Sequence, residues 1–185
     1  MKTKINLPNA ITALRILGTV CLLFLLPHSP WFILIYTLAG ITDALDGYIA
    51  RKTGQTTTFG AKLDSAADLI YYGVMLLRIF PVLLELLPWQ LWVMVVTVLA
   101  VRLSAYLVAA IKYRRFAAQH TWLNKATGLM VFAIPYLLVT PVGVGFCWVV
   151  GVVALLASAE ELVLHLVNKE YDIRKKSILP FLNRK

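Results

Sequence analysis

The feature that most constrains this chain is its succession of long apolar runs. Apolar side chains dominate residues 16–26, 31–41, 89–101, 129–139 and 146–157. A hydrocarbon core of about 30 Å needs roughly 20 mostly apolar residues per helix, and each run reaches that length with its flanks. Charged residues make up only 15% of the 185 residues, against about 25% in a soluble domain. The reading is an all-α integral membrane protein with six transmembrane helices. They are expected over about residues 8–26, 31–52, 60–87, 89–113, 123–139 and 142–167. Residues 1–168 form one transmembrane domain, and 169–185 form a basic tail with an amphipathic surface segment around 178–181.

The net charge of +9 is distributed in blocks. Lys2 and Lys4 open the chain, Arg51, Lys52 and Lys62 flank a central polar loop, and Lys112, Arg114, Arg115 and Lys125 form a further group. Lys169, Arg174, Lys175, Lys176, Arg184 and Lys185 fill the tail. The alternate connections at 27–30, 85–88 and 140–145 contain no Lys or Arg. This is the positive-inside pattern, and it places both termini, the 51–62 loop and the 112–125 segment in the cytoplasm. Basic charge dispersed over the ends of apolar helices argues against a nucleic-acid partner. The basic start has no small-residue cleavage site after its apolar run, so it reads as a retained first span. Cys21 and Cys147 lie within apolar runs and are expected to be small buried hydrophobes.

Against this background, residues 42–72 stand out. Asp43 and Asp46 are spaced i, i+3, and Asp64 and Asp68 are spaced i, i+4. On helices each pair shares a face. Buried carboxylates are costly unless paired or metal-bound, and clustered ones repel one another. Divalent cations resolve both problems, and an all-oxygen donor set favours Mg²⁺, Mn²⁺ or Ca²⁺ over softer metals. Gly47 and Ala50 keep the adjoining face open, Gly60 leaves room at the start of the next helix, and Arg51 offers a guanidinium suited to phosphate oxygens. Cations, an arginine and small residues are the parts of a phosphoryl-transfer site.

Asp43-x-x-Asp46-Gly47-x-x-Ala50-Arg51, eight residues, then Gly60-x-x-x-Asp64-x-x-x-Asp68 resembles the signature of the CDP-alcohol phosphatidyltransferase family at every fixed position. The resemblance implies transfer of a phosphatidyl group from CDP-diacylglycerol to an alcohol with release of CMP. It implies two ions, Mg²⁺ or Mn²⁺, on Asp43, Asp46, Asp64 and Asp68, with Asp68 also the general base. Gly47, Ala50, Arg51 and Gly60 would line the CDP pocket. The opening Leu7-Pro8-Asn9-Ala10-Ile11-Thr12-Ala13-Leu14-Arg15 resembles that of bacterial phosphatidylglycerophosphate synthases within the family. Asn9, Thr12 and Arg15 would then face the nucleotide. The family also implies a homodimer, and a bacterial cell membrane is the expected location, with the site on its cytoplasmic side.

For the acceptor, the basic segment favours a phosphorylated alcohol such as glycerol 3-phosphate. Lys112, Arg114, Arg115, Lys125, Thr127 and Arg102 are its candidate contacts. The resemblance is incomplete here, because those synthases commonly carry Arg-Glu on the fourth helix and this chain has Arg102-Leu103. Inositol phosphate, serine and phosphatidylglycerol are the alternative acceptors. A divalent-cation transporter is the alternative of a different class, although the acids cluster toward one end of their helices.

Three arginines fall inside expected spans, where an unpaired charge costs at least about 2.5–3.5 kcal/mol. Arg15 and Arg102 are expected to line a cavity around the aspartates. Arg78, roughly 15 Å further along its helix than Asp68, is expected in helix packing or a dimer contact. Glu160 and Glu161 are candidate partners for an arginine.

Overall fold

The computed structural model describes residues 7–54, 57–114 and 121–168. The elements are α1 (Leu7–Cys21) followed by a 3₁₀ turn (Leu22–Phe24), α2 (Pro30–Thr53), α3 (Thr58–Leu86), α4 (Trp89–Tyr113), α5 (Trp122–Leu137) and α6 (Gly143–Val167). Among the described residues, five helices are long and apolar enough to cross a membrane: α1 with its 3₁₀ turn, α2, α3, α4 and α6. The chain is an integral membrane protein. The sixth expected crossing, α5, has only 16 residues and rises about 24 Å, short of a core of about 30 Å. The Thr140 N–H and hydroxyl both donate to the Leu137 carbonyl and turn the chain there.

Local chemistry sets the helix ends. The Ser29 side chain accepts from the Phe32 N–H and Pro30 stands in the first turn of α2, where its missing N–H is not needed. Gly54 closes α2 with φ +65°, a left-handed conformation that glycine adopts without strain. The Thr57 hydroxyl accepts from the Gly60 N–H at 2.9 Å, so α3 begins at Thr58, two residues before the expected start. Thr121 caps α5 through the Asn124 N–H. Arg114 ends α4 in the left-handed region at φ +52°.

The chain divides into two compact units, Met1–Glu85 and Leu86–Lys185. In the first, α1 packs on α2 and buries Pro8, Thr12, Arg15 and Thr19 along one stripe. Leu14 and Leu17 on the opposite side are exposed. This inversion of the soluble pattern suits lipid, which is no less apolar than leucine and leaves polar and small side chains to join helices. Phe32, Tyr36 and Tyr71 stack in sequence between α2 and α3, with centroids 6.5 and 5.9 Å apart. In the second unit, α6 packs against both α4 and α5. Small residues permit the approach: Ala105 and Ala109 on α4, and Ala157 and Ser158 on α6, are fully buried. Cys147 is buried as expected, whereas Cys21 is exposed, because the buried stripe of α1 runs through Arg15 and Thr19 and turns Cys21 outward.

Candidate active site

Two helices carry the acids and a third carries their counter-charge. Asp43 and Asp46 lie on α2, and Asp64 and Asp68 lie on α3. One oxygen each from Asp43, Asp64 and Asp68 lies within 4.8 Å of the others. Arg15 of α1, only 3% exposed, reaches among them. Its Nη1 donates to Asp43 and, at 3.1 Å, to Asp68, and its Nη2 donates to Asp64 at 2.5 Å. The carboxylates of Asp43, Asp64 and Asp68 are about half exposed, so this is a buried cation under an open acidic rim.

Asp46 stands apart from that trio. It is 4% exposed, accepts from the Thr12 hydroxyl at 2.7 Å and lies 3.6 Å from Arg15 Nη2. Beside it opens a cavity of about 260 Å³, lined by Pro8, Asn9 and Thr12 of α1, Asp46, Gly47 and Ala50 of α2, Thr57, and Gly60, Ala61 and Asp64 of α3. Gly60 lets α1 side chains come close here. A Cβ at that position would lie 2.7 Å from Asn9 Oδ1 and 3.0 Å from the Thr57 hydroxyl. The structure therefore brings together Asn9, Thr12, Arg15, the four aspartates, Gly47, Ala50 and Gly60. The Arg51 side chain, Arg115 and residues 169–185 lie outside the described residues.

The acceptor candidates on the second unit behave differently from one another. Lys112 Nζ donates to the His165 and Leu166 carbonyls at 2.8 and 2.9 Å, which ties α4 to the last turn of α6. Lys125 is exposed over the Trp122 ring, 5.2 Å from its centroid. Thr127 is buried and donates to the Leu123 carbonyl. Arg114 is exposed at the end of α4. Arg102 donates through Nη2 to Asn124 Oδ1 and, at 3.4 Å, to Glu161 Oε2. Arg78 of the first unit donates to the Leu25 carbonyl, a helix-packing role as expected.

A model of the CDP-alcohol phosphatidyltransferase family matches residues 5–159. The chain belongs to that family. Among similar proteins is a CDP-diacylglycerol–glycerol-3-phosphate 3-phosphatidyltransferase of Pseudomonas fluorescens, 33% identical over 82% of this chain and 81% of the relative. A cardiolipin synthase (CMP-forming) of Streptomyces coelicolor is 29% identical over 82% of this chain and 72% of the relative. A CDP-diacylglycerol–serine O-phosphatidyltransferase of Methanocaldococcus jannaschii is 47% identical over 38% of this chain and 32% of the relative. No solved structure matches the chain. An enzyme of this family takes the place of the cation transporter considered as an alternative.

The divalent cations implied by membership in the CDP-alcohol phosphatidyltransferase family fit the donor set. Three half-open carboxylates with oxygens within 4.8 Å of one another, joined by no His or Cys among the described residues, are hard ligands of the kind Mg²⁺ and Mn²⁺ prefer. Ala61 lines the cavity of this phosphatidyltransferase without having been singled out in the sequence, and the same holds for two further cavity residues and, separately, for one residue of the second unit. Pro8 and Thr57 line the cavity, and Asn124 joins Arg102 to α6. Thr57 had a legible signal, a hydroxyl three residues before a glycine at a helix start. Asn124 had none, because its partners are 22 and 37 residues away.

Proposed function

We propose that this phosphatidyltransferase moves the phosphatidyl group of CDP-diacylglycerol to glycerol 3-phosphate, releasing CMP and forming phosphatidylglycerophosphate. The observation that carries the reading is the convergence of Asp43, Asp64 and Asp68 beside a cavity bordered by Asp46, Gly47, Ala50 and Gly60. That cavity would take the cytidine and ribose, with Asn9 and Thr12 at its α1 wall and Arg51 as a phosphate contact. Asp43, Asp46, Asp64 and Asp68 would hold two ions, Mg²⁺ or Mn²⁺. Bound there, the ions would neutralise the diphosphate and stabilise the departing CMP.

Asp68 would take the proton of the acceptor hydroxyl as that oxygen bonds to the lipid-side phosphorus. The bond from this phosphorus to the CMP oxygen breaks, and CMP leaves with the bonding pair. A base beside the nucleophile contributes typically about 10²–10⁴ in rate. Arg15, at hydrogen-bond distance from Asp68, would orient that carboxylate. Arg102, Lys112, Arg114, Arg115, Lys125 and Thr127 would bind the acceptor, with Arg102 and Lys125 the ones the geometry favours. Six crossings with both termini and the site on the cytoplasmic face of a bacterial cell membrane, in a homodimer, complete the reading. The alternation of basic connections supports the sidedness.

Phosphatidylglycerol is the second acceptor to consider, because similarity to the cardiolipin synthase also extends over 82% of the chain. The test is CMP release by purified enzyme with CDP-diacylglycerol, Mg²⁺ or Mn²⁺, and glycerol 3-phosphate, phosphatidylglycerol, serine or inositol phosphate in turn. Turnover with glycerol 3-phosphate and its loss by at least about 100-fold in Asp68→Asn are expected. Full turnover in Asp68→Asn would remove Asp68 as base.

A further inference from the structure

The second unit contains a polar junction inside helices that are otherwise apolar. Glu161 of α6 is 1% exposed. Its Oε2 accepts from Asn124 Nδ2 of α5 at 3.1 Å and lies 3.4 Å from Arg102 Nη2 of α4. The same Nη2 donates to Asn124 Oδ1. A guanidinium only donates and a carboxylate only accepts, so the Asn124 amide has one orientation that satisfies both. Three helices thus fix one side of the Arg102 guanidinium. The Arg102 side chain remains 32% accessible, while its Nε is buried without a hydrogen-bond partner among the described residues, so the open edge of the guanidinium is the one away from Nε.

We infer that Glu161 and Asn124 are positioning residues for acceptor recognition, aiming the Arg102 guanidinium at a phosphate ester of the acceptor. This rests on the proposed reading of Arg102 as an acceptor contact. The charge arithmetic separates aiming from attraction. Glu161 offsets the charge of Arg102, so it weakens the field that would draw an anion, and its benefit has to come from direction. A guanidinium recognises phosphate through parallel N–H bonds of fixed geometry, and a long side chain left loose loses that geometry. The family resemblance is incomplete at Leu103, where a glutamate would be expected next to Arg102. Glu161 supplies a carboxylate to the same arginine from another helix.

The shared ligand chemistry is a phosphate oxyanion, free in glycerol 3-phosphate and lipid-borne in phosphatidylglycerol. The experiment is CMP release in nanodiscs at saturating CDP-diacylglycerol, with soluble glycerol 3-phosphate in one arm and vesicle-delivered phosphatidylglycerol in the other. The arm that turns over identifies the source of the phosphate. In that arm Glu161→Gln is expected to raise the acceptor KM about tenfold, the equivalent of one charge-assisted hydrogen bond, with kcat and the CDP-diacylglycerol KM within twofold of the parent. Asn124→Ser, which leaves no buried charge unpaired, is expected to raise it about threefold and decides the matter alone if Glu161→Gln does not fold. An unchanged or lowered acceptor KM in these variants, while Arg102→Gln raises it, overturns the inference and leaves the Arg102 reading standing. An unchanged acceptor KM in Arg102→Gln overturns that reading and the inference with it. Equal changes in both substrates' KM values would show a purely structural role and also overturn the inference.

Discussion

Arg15 and Asp64, 49 residues apart, are joined by a 2.5 Å hydrogen bond from a fully buried guanidinium to a half-open carboxylate. Through the same guanidinium Arg15 reaches Asp43 and Asp68, so one cation serves the oxygens that would ligate divalent ions. Both sources of positive charge relieve the same repulsion. Arg15→Gln should therefore make the fold lean harder on added cations. The expected result is a lower thermal midpoint in EDTA than the parent's and a larger rise on adding millimolar Mg²⁺ or Mn²⁺. Solvent screening at the open carboxylates keeps the EDTA deficit below the roughly 3–5 kcal/mol of a fully buried pair. Equal cation-induced shifts in the two proteins would show that Arg15 does not share its carboxylates with bound ions.

Gly60 tests the nucleotide wall. An added methyl lies 2.7 Å from Asn9 Oδ1, well inside van der Waals contact, and the side chain that gives way is one proposed to touch CDP. Gly60→Ala should raise the CDP-diacylglycerol KM at least about tenfold, with the acceptor KM unchanged. Alanine favours helix over glycine by about 1 kcal/mol, so the thermal midpoint should not fall. A parental KM in CMP-release assays would place the nucleotide elsewhere.

Much of this was legible in the residues, and for identifiable reasons. The span lengths and the i, i+3 and i, i+4 spacings of the aspartates are local properties, and helices transmit local spacing directly into geometry. Partnerships across the bundle were only half legible. Burial in an apolar span demanded partners for Arg15 and Arg102 and offered the aspartates, Glu160 and Glu161 as candidates without pairing them. The structure supplies Asp43, Asp64 and Asp68 for one and Asn124 with Glu161 for the other. The end of α5 was placed two residues late because Val139 continues the apolar run, while hydrogen bonds from Thr140 turn the chain after Leu137. The basic segment gave least, since Lys and Arg at helix ends look alike whether they bind a substrate, cap a helix as Lys112 does or face lipid headgroups.

Arg78 is predicted to affect stability without affecting either substrate. It donates to the Leu25 carbonyl just past the 3₁₀ turn, a group that α1 can no longer satisfy. Arg78→Met keeps the length and removes the donor, leaving an acceptor unpaired at a cost of about 1–3 kcal/mol. The thermal midpoint should fall by several degrees, while both KM values stay within twofold. A selective rise in either KM would move Arg78 into the catalytic apparatus.

Thr12 and Asp46 give the sharpest separation of chemistry from shape. Asp46 is the most buried of the four acids, 4% exposed, and its Oδ2 accepts from the Thr12 hydroxyl at 2.7 Å. Its cationic neighbour, Arg15 Nη2, is at 3.6 Å, and the Thr12 hydroxyl, closer to this carboxylate than to the Pro8 carbonyl at 3.0 Å, is the near donor that holds it against the cavity wall. Thr12→Val preserves the β-branch and volume and deletes only that donor. A carboxylate deprived of it is expected to turn toward Arg15 and so to leave the place beside the diphosphate that the proposed function gives it. The CDP-diacylglycerol KM should rise about tenfold, as expected for one hydrogen bond to a charged group, while Thr12→Ser restores the parent's value. If valine and serine behave alike in CMP-release assays, the hydroxyl has no part in the reaction and Thr12 serves only to pack α1 on α2.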